Sequence, residues 1–112
     1  MSYTEKFAET RNNLRALRKA VPDTFAGFVS LEKAASADGA LSLKQKELIA
    51  LGISVALRCE DCIISHAGAC HRAGVTREEL AEALGTAIQM SGGPGLMYAG
   101  KALAAYDEIA AG

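Results

Sequence analysis

Leu48-Ile49-Ala50-Leu51-Gly52-Ile53-Ser54-Val55-Ala56-Leu57, residues 48–57, is apolar on nearly every side when wound as a helix. A surface helix carries one apolar stripe, whereas a helix apolar all round belongs inside a bundle. Residues 48–57 therefore read as the central helix of an all-α domain. Upstream, Ser42 and Gln45 stand in capping-box register and mark where this helix begins. Downstream, Arg58-Cys59-Glu60 is a short link into another helix that ends near Gly74, a residue suited to a C-terminal cap.

Working outward, the pattern predicts a compact bundle of about six helices and no strand. The first runs from about Thr4 to Lys19 and sets Phe7, Leu14 and Leu17 among charged residues, with Val21-Pro22 closing it. The second runs from about Asp23 to Ala37 and stops at Asp38-Gly39. The third and fourth are the pair just described. Thr76 and Glu79 form a second capping box that opens the fifth helix through Leu80, Leu84 and Ile88. Ser91-Gly92-Gly93-Pro94-Gly95 breaks it, and a sixth helix follows from about Leu96 to Ala110.

The chain has 112 residues, enough for one domain spanning 1–112 and no second. Half of its residues are hydrophobic but only 5% are aromatic, so small aliphatic side chains dominate and helices can pack closely. A formal net charge of −1 without a basic block argues against nucleic acid and anionic membrane surfaces as partners. The start lacks the charged-then-apolar pattern of a secretory signal, and residues 48–57 are about half the length of a membrane span. Three cysteines in such a chain do not read as a secreted disulfide framework, and the expected compartment is the reducing cytoplasm.

The chemistry is concentrated in Cys59-Glu60-Asp61-Cys62-Ile63-Ile64-Ser65-His66. Cysteines three apart at a helix start have Cα atoms roughly 5 Å apart, inside the disulfide range. The positive end of the helix favours thiolate over thiol. His66 follows Cys62 by four residues, so both lie on one face and a proton can pass between them. Cys70 lies about 80° away and roughly 12 Å along the axis, too far to pair with Cys62, and reads as a small buried hydrophobe. His71 points the opposite way from Cys62 and reads as a surface residue. Glu47 has two readings: an orienter of His66, if the third and fourth helices fold back as a hairpin at Arg58, or a solvated first-turn acid. Zinc on Cys59, Cys62, His66 and Glu47 is an alternative, although structural zinc ligands are seldom crowded onto one helix. A c-type haem is ruled out because Ile63, not histidine, follows Cys62.

Glu47, eleven residues, Cys59, two residues, Cys62, three residues and His66 together resemble the carboxymuconolactone decarboxylase and AhpD-like alkylhydroperoxidase superfamily. The likeness continues into Ala73-Gly74-Val75-Thr76-Arg77-Glu78-Glu79-Leu80 and covers roughly residues 22 to 106. It implies an all-α fold assembled as a homo-oligomer, a trimer or hexamer. It also implies that Glu47 belongs to the active site. In AhpD-like members the two cysteines reduce hydroperoxides and cycle through a disulfide, the glutamate and histidine relay protons, and an external dithiol or disulfide reductant restores the thiols. One departure is visible: AhpD has histidine just before the second cysteine, where this chain has Asp61. The decarboxylase branch lacks the dithiol, which argues against lactone decarboxylation.

The expected function is thus that of an AhpD-like thiol peroxidase using Cys59, Cys62, His66 and Glu47, with no cofactor and no bound metal. The alternatives are a zinc-binding or redox-sensing module and an assembly protein with a vestigial dithiol. Cys62 is the expected peroxide-attacking residue because it shares a face with His66. Leu96, Ala99, Gly100, Leu103 and Ala110 form an apolar stripe on the sixth helix that, with the third helix, exceeds what one chain can cover.

Overall fold

Four of the five helices begin where the sequence supplies a side chain for the unpaired N–H groups, and the other, which follows Val21, opens on Pro22. Ser2 with Glu5, Ser42 with Gln45 and Thr76 with Glu79 all form reciprocal capping boxes. In the computed structural model, which describes residues 1–112, these starts open three of five helices: α1 (Tyr3–Ala20), α2 (Pro22–Ser36), α3 (Leu43–Ala56), α4 (Glu60–Arg72) and α5 (Arg77–Ala111). The fold is all-α, as the sequence indicates. No helix is long and apolar enough to cross a membrane.

The fifth and sixth helices predicted from sequence lie end to end within α5, separated by a kink where the break is predicted. Gly92 adopts φ 67°, ψ −148°, a conformation open essentially to glycine alone. Pro94 follows in the first turn of the second half, where its missing N–H costs nothing.

The helices α3 and α4 form an antiparallel hairpin, and the same capping geometry ends both. Arg58 N–H reaches the Val55 carbonyl and Cys59 N–H the Ser54 carbonyl; Gly74 N–H reaches His71 and Val75 N–H reaches Cys70. This is the Schellman arrangement, which needs one residue in the left-handed region. Gly74 provides it after α4 at φ 84° and Arg58 after α3 at φ 57°. A non-glycine residue there costs about 1 kcal/mol. The hairpin between α3 and the dithiol is therefore bought with local strain that glycine would have avoided.

The core lies between α3, α4 and α5. Leu51, Val55, Ile63, Ala67, Leu80, Ala102 and Ala105 are completely buried, and alanines along the second half of α5 let it approach α4 closely. Tyr106 donates its buried hydroxyl to the Val75 carbonyl at 2.7 Å, fixing the end of α5 over the α4–α5 turn. One expectation about burial requires correction. Helix α3 is covered on one side only: Leu51, Ser54 and Val55 are buried, while Ile49 and Ile53 face outward, as does Leu57 just past its end. On the second half of α5 the chain itself covers Gly95, Ala99, Ala102, Ala105 and Tyr106, and Leu96, Gly100 and Ala110 of the apolar stripe stay exposed, in keeping with more apolar surface than one chain covers. Periodicity reveals that a face is apolar but not which neighbour reaches it.

Helix α1 is tied down at its start by Glu108 of α5. That carboxylate accepts from the N–H groups of Tyr3 and Thr4 and from the Thr4 hydroxyl, at 3.2, 2.9 and 2.8 Å. From there α1 runs along α4, toward the cysteines.

Candidate active site

Cys59 sits where the strained turn after α3 meets α4. Its backbone is extended (φ −103°, ψ 96°), it is the N-cap of α4, and its Sγ accepts a hydrogen bond from the N–H of Cys62 at 3.3 Å. The two residues are joined as a disulfide with Cα atoms 5.2 Å apart, matching the spacing expected from the helix. Both are half-buried. A Cys59 thiolate released by reduction keeps that N–H donor and the positive end of α4, so it is the better stabilised of the two.

The hairpin at Arg58 brings Glu47 back to the level of His66. Nδ1 of His66 lies 2.8 Å from Oε2 of Glu47, and the carboxylate side chain is only 12% exposed. Because an ionised carboxylate can only accept, Nδ1 carries the proton of that bond. Nε2 is left as the ring nitrogen able to take a further proton. Of the two readings open for Glu47, the structure places it on His66 and away from bulk water. Oriented carboxylate, imidazole and dithiol are thus consecutive along one side of the α3–α4 hairpin.

Cys70 is a free thiol and completely buried. Burial pushes its pKa up to about 12, and the nearby negative charge of Glu47 pushes the same way. It is therefore a protonated hydrophobe, not a nucleophile. His71 is exposed on the opposite side and meets the ring of Tyr106 edge-on, with centroids 5.7 Å apart. No three histidine, cysteine, aspartate or glutamate side chains are grouped so as to hold a metal ion.

The structure adds residues that sequence reading missed. Glu60, between the cysteines, accepts from Lys6 of α1 at 3.1 Å and from Lys101 of α5 at 3.0 Å. Asp61, the other intervening residue, accepts from the hydroxyl of Thr10 at 2.8 Å. These partners lie more than forty positions away in sequence, and no local pattern announces them. An open apolar groove of about 390 Å³ runs between α3 and the first half of α5, lined by Leu48, Ile49, Ile53 and Met90 among others and by none of Glu47, Cys59, Cys62 and His66.

Comparison with known proteins identifies the family and the fold. Residues 22–105 match the model of the carboxymuconolactone decarboxylase family. An uncharacterised protein of Cupriavidus necator is 42% identical over 104 residues, covering 93% of this chain and 92% of its own length. Among solved structures, a carboxymuconolactone decarboxylase family protein of Legionella pneumophila is 44% identical, with 96% of each chain covered and a TM-score of 0.93. A family protein of Thermotoga maritima, described as "possibly involved in antioxidative response", is 32% identical with a TM-score of 0.84, covering 95% of this chain and 91% of that one. The matched segment contains Glu47, both cysteines of the disulfide and His66, and leaves α1 outside it. With three-quarters of its length matching that model, and the fold shared nearly end to end, the chain belongs to the carboxymuconolactone decarboxylase family.

Proposed function

We propose that this protein is a thiol-dependent peroxidase that reduces hydroperoxides through Cys59 and Cys62, with His66 and Glu47 as its proton relay. The observation that carries the reading is the disulfide at the N-terminus of α4, one helical turn from an imidazole whose far nitrogen is held by a half-buried carboxylate. The association of the Thermotoga relative with an antioxidative response points the same way.

The cycle begins when His66 Nε2 takes the Cys62 proton and the resulting thiolate attacks the distal oxygen of ROOH. An S–O bond forms, the O–O bond breaks, and the departing alkoxide leaves as ROH with the proton from His66. Glu47 stabilises the imidazolium between these steps. The sulfur of Cys59 then attacks the Cys62 sulfenic acid, forming the disulfide while hydroxide departs as water with the Cys59 proton. An external dithiol attacks Cys62, and Cys59 leaves onto its N-cap donor, where a stabilised thiolate is a good leaving group. The donor's second thiol frees Cys62, and the donor departs as a disulfide carrying away two hydrogens. Asp61, at the position of the AhpD histidine, is engaged by Thr10, so the preferred peroxide and donor are expected to differ from those of AhpD.

Assembly is part of the same reading. Ile53, Leu57, Met90 and Met97 are each more than half exposed, as are Phe28 and Leu31 of α2. Apolar surface on that scale is normally covered by a partner, and a homo-oligomer built on a trimer, trimeric or hexameric, would cover it. Light scattering at micromolar concentration tests this, and a mass near the 11.7 kDa monomer would refute it. The activity is tested by turnover with a panel of hydroperoxides and dithiol donors beside a Cys62→Ser control. Turnover is expected to vanish in the control. Absence of turnover with every peroxide, from protein whose disulfide still opens and closes, would end the peroxidase reading.

A further inference from the structure

Both residues between the cysteines are gripped by side chains from other helices. Glu60 receives Lys6 of α1 and Lys101 of α5 on its two oxygens, at 3.1 and 3.0 Å, and Asp61 receives Thr10 of α1. Two of these three partners belong to α1, which lies outside the family-matched segment 22–105. The N-terminal helix therefore helps hold the residues that share a turn with the sulfurs.

The electrostatic consequence follows from the signs. The Glu60 carboxylate, one residue from Cys59 and two from Cys62, opposes a thiolate on either of them. Across a partly exposed helical turn this opposition amounts to roughly half to one pKa unit. Two ammonium groups on that carboxylate turn the local charge from −1 to +1. The remaining charged and titratable groups around the dithiol are Asp61 and His66 on α4, Glu47 on α3, Arg58 in the turn, Tyr3 on α1 and Tyr98 on α5. Glu47 and His66 are engaged with each other on the α3 side, while Tyr3 and Tyr98 sit beneath Lys6 and Lys101 respectively.

We propose that Lys6 and Lys101 are positioning residues that tune the dithiol: by neutralising Glu60 they favour the thiolate and make the Cys59–Cys62 disulfide easier to reduce. The Glu60 carboxyl is held below its ordinary range, first by Lys101 and then by Lys6, so it is ionised throughout the working pH range and needs these partners. The logic is that of any disulfide whose reduced form is selectively stabilised, which becomes the stronger oxidant. This inference rests on the dithiol reading but not on peroxide being the substrate.

The test uses the full chain with Lys6→Met, Lys101→Met, Lys101→Arg and Glu60→Gln. Thiolate ultraviolet absorbance against pH gives the acidity of the reduced dithiol, and equilibration in dithiothreitol redox buffers gives the stability of the disulfide. Each methionine variant is expected to raise the pKa of the more acidic thiol by about half a unit and shift the redox equilibrium about threefold toward the disulfide. Lys101→Arg should stay near the parent, and Glu60→Gln should move both readouts in the opposite direction. Opposite signs are what separates charge tuning from mere loosening, because a structural defect would move lysine and glutamate variants alike. Shifts of the same sign, or none, would overturn the proposal while leaving the dithiol intact. A disulfide that no dithiol buffer opens would overturn the dithiol reading and this proposal with it.

Discussion

Helices α2 and α3 are nearly equal in length, 15 and 14 residues, and similar in apolar content, yet they live in different surroundings. Helix α3 buries Leu51, Ser54 and Val55 and contributes Glu47 to the site. Helix α2 buries nothing, and Phe28 and Leu31 stand exposed. The contrast extends to the halves of the chain: every fully buried residue lies at or beyond Leu51, and α1 with α2 forms an arm that meets the core through the first turns of α1, where Tyr3 and Phe7 pack against it. The difference teaches that apolar content measures a helix's need for cover, while the connections decide where cover comes from. Helix α3 is followed by tight turns at Arg58 and, after α4, at Gly74, which fold α4 and α5 onto it. Helix α2 joins α3 through the turn at Asp38-Gly39, which leads it away from them.

The most forceful way to break this comparison is to cut into each helix. Leu51→Ala should cost about 2–5 kcal/mol, the range for emptying a tightly packed core position. Leu31→Ala should change stability by no more than about 0.5 kcal/mol in a dissociated chain. Urea unfolding of both variants measures this. A large, concentration-dependent loss in Leu31→Ala would show that α2 is covered by another subunit, sharpening the contrast.

The second contrast is within the core, between the relay and its surroundings. Glu47→Gln and His66→Ala should each slow turnover by about 10²-fold, the scale of general acid–base catalysis. The double variant should be scarcely slower than either, since members of one relay fail together. Additive losses would separate them.

The third prediction compares the core thiol with the half-buried pair. With its pKa raised from 9.0 to about 12, Cys70 should resist alkylation at pH 8 in folded, reduced protein while Cys59 and Cys62 react. Mild oxidation should leave it a free thiol. The sign of the linkage is fixed: the folded state holds the Cys70 proton more tightly than the unfolded chain. Stability from this group is therefore full below pH 9 and declines as pH rises from 9 toward 12. Rapid labelling at pH 8, or stability unchanged across that window, would contradict the assignment.

The smallest effect concerns the arm's anchor. Glu108→Gln weakens the cap on Tyr3 and Thr4 and should speed amide exchange a few-fold in α1 while leaving α4 unchanged. Faster exchange throughout would mean that arm and core unfold as one unit.

Much of the site was legible because its parts are local. Cys59, Cys62 and His66 fall within two helical turns, so spacing alone puts the sulfurs within bonding range and His66 on the Cys62 face. Glu47 was only half legible: its place beside His66 depends on a reversal at Arg58, a residue no propensity would put in the left-handed region. Lys6, Thr10 and Lys101 were invisible, because surface cations and hydroxyls look alike until a fold gives some of them partners.

What the sequence by itself determined is whatever is completed within about four residues: the capping boxes at Ser42 and Thr76, the glycine cap at Gly74, the kink at Gly92 and the dithiol pair. Each is a hydrogen bond or backbone preference closed between near neighbours, so chain connectivity alone brings its partners together. Only the tertiary structure decided which side of α3 is covered, that Glu47 reaches His66, and that α1 reaches back to the residues between the cysteines. Those contacts join groups from 19 to more than 50 positions apart. Their formation depends on how whole helices stack, and stacking is chosen by the summed burial of many side chains rather than by any one of them.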